Sequence, residues 1–379
     1  MTRRSFLGGG VFLTAAPHIA VGRSTVTAGA VRREYSTRAI DAVRQARVID
    51  MLGLLTLNWP KLYAWQGDRT AFCREDFDRL KRSGITVFHP SVEPNQPDPF
   101  AATLAWTERW NCFVASHRDC FVRVGDVSDI AEAKTSNRIG IIVGFQNSDH
   151  FRGAEDVRLF HSLGQRVSQL TYNTRNAAGA GCLDREDCGL TDHGAALVKA
   201  MNEVGMAVDV SHASERTALD SFGVSSKPVL ITHSNCRAMM PSSPRCVGDE
   251  TIRGMAATGG VMGITAIRNF IWHKRPVTIG HLLDHYDHVA RLVGVEHVGL
   301  GSDSDVEDEG AGARGKRFEV AGLRRVFRAY DIAEGLLRRG YTPRHLELIL
   351  GGNFERALRD IWIKTLSEST PFQTTNFET

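Results

Sequence analysis

Short apolar runs rich in Val and Ile recur along the chain. Most are followed by a longer stretch whose apolar positions return every three or four residues. The runs at 47–53, 85–89, 139–146, 167–172, 207–212, 228–233, 260–266 and 297–303 read as eight strands. Stretches at 74–83, 101–117, 155–163, 192–204, 214–222, 249–258 and 279–293 read as helices. Three more helices are expected near 321–339, 343–349 and 353–365. A short apolar run at 121–124 has no assigned role, and Gly-rich or acidic loops occupy 176–189 and 304–317. The strands are continuously apolar, as expected when helices cover both faces of a parallel sheet. Eight such units in 379 residues predict a single (β/α)₈ TIM-type barrel of the metallo-dependent hydrolase kind.

In a barrel of this kind, residues at the carboxyl ends of the strands face the active-site mouth. The residues at those ends are Asp50, His89, Gln146, Tyr172, His212, His233, Asp303 and Asp305, with Leu52 and Leu54 just beyond Asp50. His212 and His233 end two successive strands separated by one helix, which brings two imidazoles to the same rim. Two neutral imidazoles and a carboxylate suit a catalytic zinc with an open position. A water acidified by that metal would attack a carbonyl, with Asp303 as ligand or as the base that moves the proton. Gln146 reads as a hydrogen-bonding wall residue. His150, His161, His193, His281, His285 and His288 fall in or near helices and read as packing or surface residues.

Composition alters this picture little. The chain is 42% hydrophobic and 23% charged, and a net charge of +3 from 46 basic and 43 acidic residues gives no footprint for nucleic acid or an anionic membrane. The amino terminus adds more. Thr2-Arg3-Arg4-Ser5-Phe6-Leu7 and the mildly apolar run to about Ala20 resemble a twin-arginine export signal, and the run is too short to span a bilayer. Residues 1–30 are therefore assigned to a periplasmic export signal, 31–365 to the barrel and 366–379 to a flexible tail. An oxidising compartment permits disulfides, and Cys182 with Cys188 and Cys236 with Cys246 are candidate pairs. The count of seven is odd, and isolated thiols account for most of them more simply.

The same residues carry a family resemblance. Gly144-Phe-Gln-Asn-Ser-Asp149, Gln169-Leu-Thr-Tyr-Asn173, Val208-Asp-Val-Ser-His212, Thr232-His-Ser-Asn-Cys-Arg237, Pro244-Arg245, Gly299-Leu-Gly-Ser-Asp303 and Gly352-Asn-Phe354 occur in this order. In order and spacing they resemble the membrane (renal) dipeptidases, zinc metallopeptidases built on a (β/α)₈ barrel. The resemblance implies hydrolysis of a dipeptide or similar small carboxylated amide, and a possible homodimer. It implies that His212 and His233 hold zinc, that Asp303 lies beside the reacting water, and that Arg245 receives the substrate carboxylate. Tyr172 stands where some members have a substrate-contacting histidine, and its phenol could steady an oxyanion. A guanidinium suits the Arg245 role because it grips carboxylates bidentately.

The chain departs from the family pattern where a second zinc would bind. Leu52 and Leu54 replace a His-x-Asp pair, and Gln146 replaces a bridging Glu. Leucine cannot ligate, and a neutral amide substitutes poorly for a bridging carboxylate, so one zinc per chain is expected. A branch of the family with Phe-Gln-Asn shows similar losses. Two alternatives stay open: a hydrolase or lyase acting on a non-peptide carboxylated substrate, and a non-catalytic ligand-binding member of the same family.

Overall fold

The computed structural model describes residues 24–28, 31–93, 96–307 and 319–362. Eight parallel strands close a barrel. They are β1 (Ile49–Asp50), β2 (Val87–Phe88), β3 in two segments (Ile139–Ile141 and Val143–Phe145), β4 (Gln165–Gln169), β5 (Ala207–Asp209), β6 (Ile231–Ser234), β7 (Met262–Ile264) and β8 (Val298–Leu300). Each pairs with the next, and Leu300 opposite Asp50 returns β8 to β1. Between β5 and β6 the ladder continues as an Asp209–Leu230 bridge, with the Val210 amide donating to Leu230 O at 2.9 Å. β3 divides its two segments between neighbours, one pairing with β2 and the other with β4.

Helices ring the outside. Ala154–Ser162 packs on Asp192–Val204, and the ring continues through Glu215–Val224, Asp249–Ala257, Ile279–Val293 and Arg328–Arg338 to Thr37–Gln45. Local signals set several boundaries. Thr191 caps Asp192–Val204 by accepting the Gly194 amide, and Gly205 ends that helix in the left-handed region at φ 77°. The strands are shorter than the apolar runs that predict them. Tyr172 lies three residues past β4, and His233 lies within β6 rather than at its tip. The helix expected over 321–339 begins only at Arg328, because residues 319–327 pack as turns over the barrel. The run at 121–124 forms a strand, Phe121–Arg123, flanking the first segment of β3 outside the barrel. A hairpin pairing Ser24–Ala28 with Val31–Tyr35 straddles the boundary expected at residue 30. The twin-arginine motif and the tail after Thr365 lie outside the described residues. All seven cysteines are free thiols, so neither candidate disulfide forms.

The two ends of the barrel differ in character. At the amino-terminal end Ile49, Val87, Val167, Ala207, Leu230 and Val261 gather against Phe354, Ala357 and Leu358 of the helix Asn353–Ile361, an apolar plug. Toward the other end the buried side chains are polar, including His89, Gln169, His212, His233 and Asn235. Asp50 does not line the mouth. Its carboxylate accepts from Arg328 Nε at 2.8 Å, Ser302 N at 2.8 Å and Ser302 Oγ at 2.6 Å, and Asp50 and Arg328 are both fully buried. Arg328 also donates to the carbonyls of Asp305 and Arg325, so one side chain fastens β1, the segment after β8 and the start of the Arg328–Arg338 helix.

His150, just after β3, is buried against Phe151 at 3.9 Å and Phe160 at 4.8 Å between ring centroids, and bonds Gln165 Oε1 at 3.1 Å. Burial pushes its imidazole down to about 3. The unfolded chain takes up that proton near pH 6.5, so this residue's contribution to stability is complete above pH 6.5 and is lost as pH falls toward 3. Urea denaturation between pH 4.5 and 6.5 should show stability rising with pH. His150→Gln should flatten that rise by roughly 1 kcal/mol per pH unit. An unchanged slope would show that His150 does not drive it.

Candidate metal centre at the barrel mouth

β5 ends at Asp209, and the chain turns through Ser211 to His212, while β6 carries His233 beside it. The two imidazoles meet with Nε2 to Nε2 at 3.0 Å and ring centroids 5.0 Å apart. His233 is fully buried and His212 is 7% exposed. What each Nε2 can do follows from what its Nδ1 touches.

His233 Nδ1 lies 2.9 Å from Thr232 Oγ1. The single hydrogen of that hydroxyl goes to Asp209 Oδ2 at 2.6 Å, so toward the imidazole Thr232 accepts and His233 Nδ1 carries the proton. His212 Nδ1 lies 2.7 Å from Asn173 Oδ1, an acceptor, and is likewise protonated. Both Nε2 atoms therefore present lone pairs, and neither can donate to the other. Burial pushes both imidazoles well below their usual range, and the nearby Arg245 charge adds to this, so a second proton does not relieve the contact. Two unprotonated nitrogens facing at 3.0 Å call for a cation between or beside them. Nitrogen ligands of a tetrahedral zinc at about 2.0–2.1 Å sit roughly 3.3 Å from one another. The pair fits such an ion.

The carboxylate behind His233 is anchored completely. Asp209 Oδ1 accepts from Ser211 N at 3.0 Å, Ser211 Oγ at 2.5 Å and Thr232 N at 3.0 Å. Burial nonetheless holds its carboxyl above the usual range. On the other side Asn173 holds His212 from a left-handed backbone, φ 63°. The loop carrying Gly181 lies directly on the Asn173 backbone, where a Cβ at Gly181 would collide with Asn173 C and O. Sequence reading assigned no role to Asp209, Thr232 or Asn173. A carboxylate inside an apolar strand, and the pairing of ligating histidines with outer acceptors, were the available signals.

The other predicted residues fall around this pair at different distances from the chemistry. Tyr172 stacks on His212, centroids 4.4 Å apart and planes 22° apart. Arg245 is 5% exposed. Its Nη2 donates to His233 O at 2.8 Å and its Nη1 to Ser234 Oγ at 3.0 Å, while its Nε is buried without a partner. Gln146, just past β3, is tied to the end of β4 and to the segment after β2. It donates from N to Val92 O at 2.9 Å and from Nε2 to Ser91 O at 3.0 Å, and it accepts Gln169 Nε2 on its carbonyl at 2.7 Å. Leu52 and Leu54 are buried. Asp303 is half-buried, takes a left-handed φ of 52°, and donates its amide to Leu52 O at 2.8 Å. Among the described residues no third His, Cys, Asp or Glu joins the histidine pair as a ligand group, so the structure does not bring Asp303 in as a third ligand. His89 lies at the same mouth with Nδ1 on Met51 O at 2.6 Å and Nε2 buried without a partner. Gly144 leaves room for that ring, since a Cβ there would strike His89 Nε2. Asp305 is spent on Arg325 at 2.7 Å and the Leu57 amide at 3.0 Å.

The histidine pair thus sits where β5 and β6 reach the mouth, backed by Asp209 and Asn173. Residues 39–371 match the model of the membrane dipeptidases, peptidase family M19. The chain belongs to this family. Curated relatives include dipeptidase aclJ of Aspergillus oryzae, 30% identical over 317 residues, 79% of this chain and 73% of that one. Dipeptidase tcpJ of Claviceps purpurea is 30% identical over 238 residues, 62% of this chain and 53% of its own length. The chain thus spans only about half of the Claviceps relative. An amidohydrolase from Pseudomonas aeruginosa of known crystal structure superposes with a TM-score of 0.75 at 27% identity, covering 86% of this chain and 99% of that one. The (β/α)₈ hydrolase fold read from the strand pattern is therefore the fold of the family.

Proposed function

We propose that this chain is a metal-dependent dipeptidase that hydrolyses a dipeptide or similar small carboxylated amide. The observation that carries the reading is the pair of proton-free Nε2 atoms of His212 and His233 at 3.0 Å. His212 and His233 would hold one zinc. Zinc held there supplies Lewis acidity toward a water and an amide carbonyl. Buried apolar side chains at Leu52 and Leu54, with a neutral amide at Gln146 whose Nε2 donates to Ser91 O, support one ion per chain rather than two.

Arg245 is the carboxylate anchor. Two of its donors fix the guanidinium to β6, and its unpartnered Nε–H leaves an edge for a ligand. Tyr172, stacked on His212, would present its phenol to the developing oxyanion. Asp303, at the mouth after β8, would take the proton of the attacking water and return it to the leaving amine.

Purified protein should hydrolyse free dipeptides. Arg245→Ala should raise KM for them by tenfold or more, and should act much less on C-terminally amidated dipeptides. Equal losses on both substrates would sink the anchor. Absence of turnover across a panel of small amides would leave the non-peptide or ligand-binding alternatives.

The export signal is part of the same proposal, and no helix among the described residues is long and apolar enough to cross a membrane. Replacing Arg3 and Arg4 with Lys should hold the protein in the cytoplasm on cell fractionation. Unchanged periplasmic recovery would refute export by the twin-arginine route. A homodimer, which the family resemblance implies, is read by the mass of the protein in solution.

A further inference from the structure

A cleft of about 710 Å³ opens beside the mouth, lined chiefly by Trp59, Tyr63, Val92, Glu93, Trp106 and Arg109. It lies between the helices Trp59–Gly67 and Pro99–Ser116, which follow β1 and β2. That volume lies within the roughly 300–1,000 Å³ range of small-molecule sites. The cleft is physically joined to the mouth. Val92 bridges Phe145 of β3 and accepts the Gln146 amide at 2.9 Å, so cleft wall and rim share one ladder.

Three rings form the wall. Trp59 and Trp106 are 6.3 Å apart, Trp59 and Tyr63 6.5 Å, and Tyr63 meets Trp106 edge-on at 6.1 Å. Tyr63 is 47% exposed, one of four large apolar side chains so exposed among the described residues. Trp59 and Trp106 are half-buried, and a cavity walled by such rings favours a ligand that buries apolar surface, preferably another ring at edge-to-face or offset geometry. A plain surface groove between two helices needs no such lining.

The location gives the cleft its meaning. Val92 of its lining holds the Gln146 amide, and the chain that carries Leu52 and Leu54 runs directly into Trp59. The side of the mouth that lacks metal-binding side chains is thus the side that leads into an aromatic cavity. The charged side chains of the lining are Glu93 and Arg109, and the Arg109 guanidinium lies 5.3 Å from the Tyr63 ring centroid. Asp149 lies close enough to Glu93 that the two carboxylates repel. Among the described residues neither has a basic ion-pair partner. Burial, with Asp149 as a second cause, pushes the Glu93 carboxyl up, a condition that a ligand ammonium would relieve.

We propose that this cleft is the subsite for the amino-terminal residue of the substrate, selecting an aromatic or bulky apolar side chain, with Glu93 facing its ammonium group. The proposal rests on the dipeptidase reading above. A dipeptide would then span the mouth, its carboxylate at Arg245, its amide at the histidine pair and its first side chain between Trp59, Tyr63 and Trp106.

The test compares Phe-Ala with Gly-Ala as substrates, and L-phenylalanine with glycine in calorimetric binding, on the full chain. Two variants are used. Trp106→Ala removes a wall, and Ala105→Trp fills the cleft from an exposed helix position without opening the core. The wild type should prefer Phe-Ala by at least tenfold in kcat/KM, and each variant should cut that ratio by at least tenfold. L-Phenylalanine should bind the wild type and bind both variants more weakly. Turnover with a ratio that neither variant moves overturns the subsite and leaves the dipeptidase reading standing. Phenylalanine binding that both variants weaken, without turnover of either dipeptide, supports the subsite and sinks the hydrolytic reading. Neither turnover nor phenylalanine binding overturns both.

Discussion

His233→Ala should abolish dipeptide turnover, by three orders of magnitude or more, and should strip the protein of its zinc on dialysis against a weak chelator. The size of the effect follows from the shape of the site. Only two protein nitrogens converge there, and among the described residues no third side chain completes a ligand group. Removing one of two leaves no chelate. His212→Ala should match it. The outer contacts give a graded companion. Thr232→Val removes the acceptor of His233 Nδ1–H and leaves Asp209 without one of its donors. Zinc affinity, read by competition with a chromogenic chelator, should fall by about 10–100-fold. Thr232→Ser should restore most of it. Full zinc content in His233→Ala would place the metal elsewhere and rule out the histidine pair as its site.

Arg328→Ala should cost about 3–5 kcal/mol of stability. Arg328 and Asp50 are both fully buried at 2.8 Å, and the guanidinium also satisfies the carbonyls of Asp305 and Arg325. Truncation would leave an ionised carboxylate in the barrel wall with only Ser302 as donor. The double change Asp50→Asn with Arg328→Met should be milder than Arg328→Ala, because no uncompensated charge remains. Chemical denaturation of the three proteins decides it. Equal stability of Arg328→Ala and wild type would mean that the pair does not fasten β1 to the segment after β8.

The barrel was legible because its strands are buried on both faces, so β-branched runs alternate with helical periodicity all the way round. Boundaries were less legible. Apolar runs extend past the strands wherever loops are buried as well, as at 47–53, where only Ile49–Asp50 is strand. In the site, His212 and His233 stood out as imidazoles at the ends of neighbouring strands, and the structure joins them. Asp50 stood at a strand end by the same logic, yet it serves Arg328, some 280 residues away in sequence, a partner no local pattern announces. Asp209, Thr232 and Asn173 were hidden for a related reason. Their importance lies in which hydrogen goes where, and that needs coordinates. The aromatic cleft, assembled from two helices and a loop, leaves no trace in periodicity.

The facing lone pairs of His212 and His233 reach beyond the reaction. Without a cation the folded chain holds two repelling dipoles in a space where neither imidazole readily takes a proton. Unfolding releases that repulsion into water, whereas binding an ion cancels it only in the folded state. Free metal concentration therefore acts as a term in the folding equilibrium, worth about 2.7 kcal/mol at a hundredfold excess over Kd. Scarcity of the ion would then be felt as shortened lifetime of the protein before it was felt as slowed turnover.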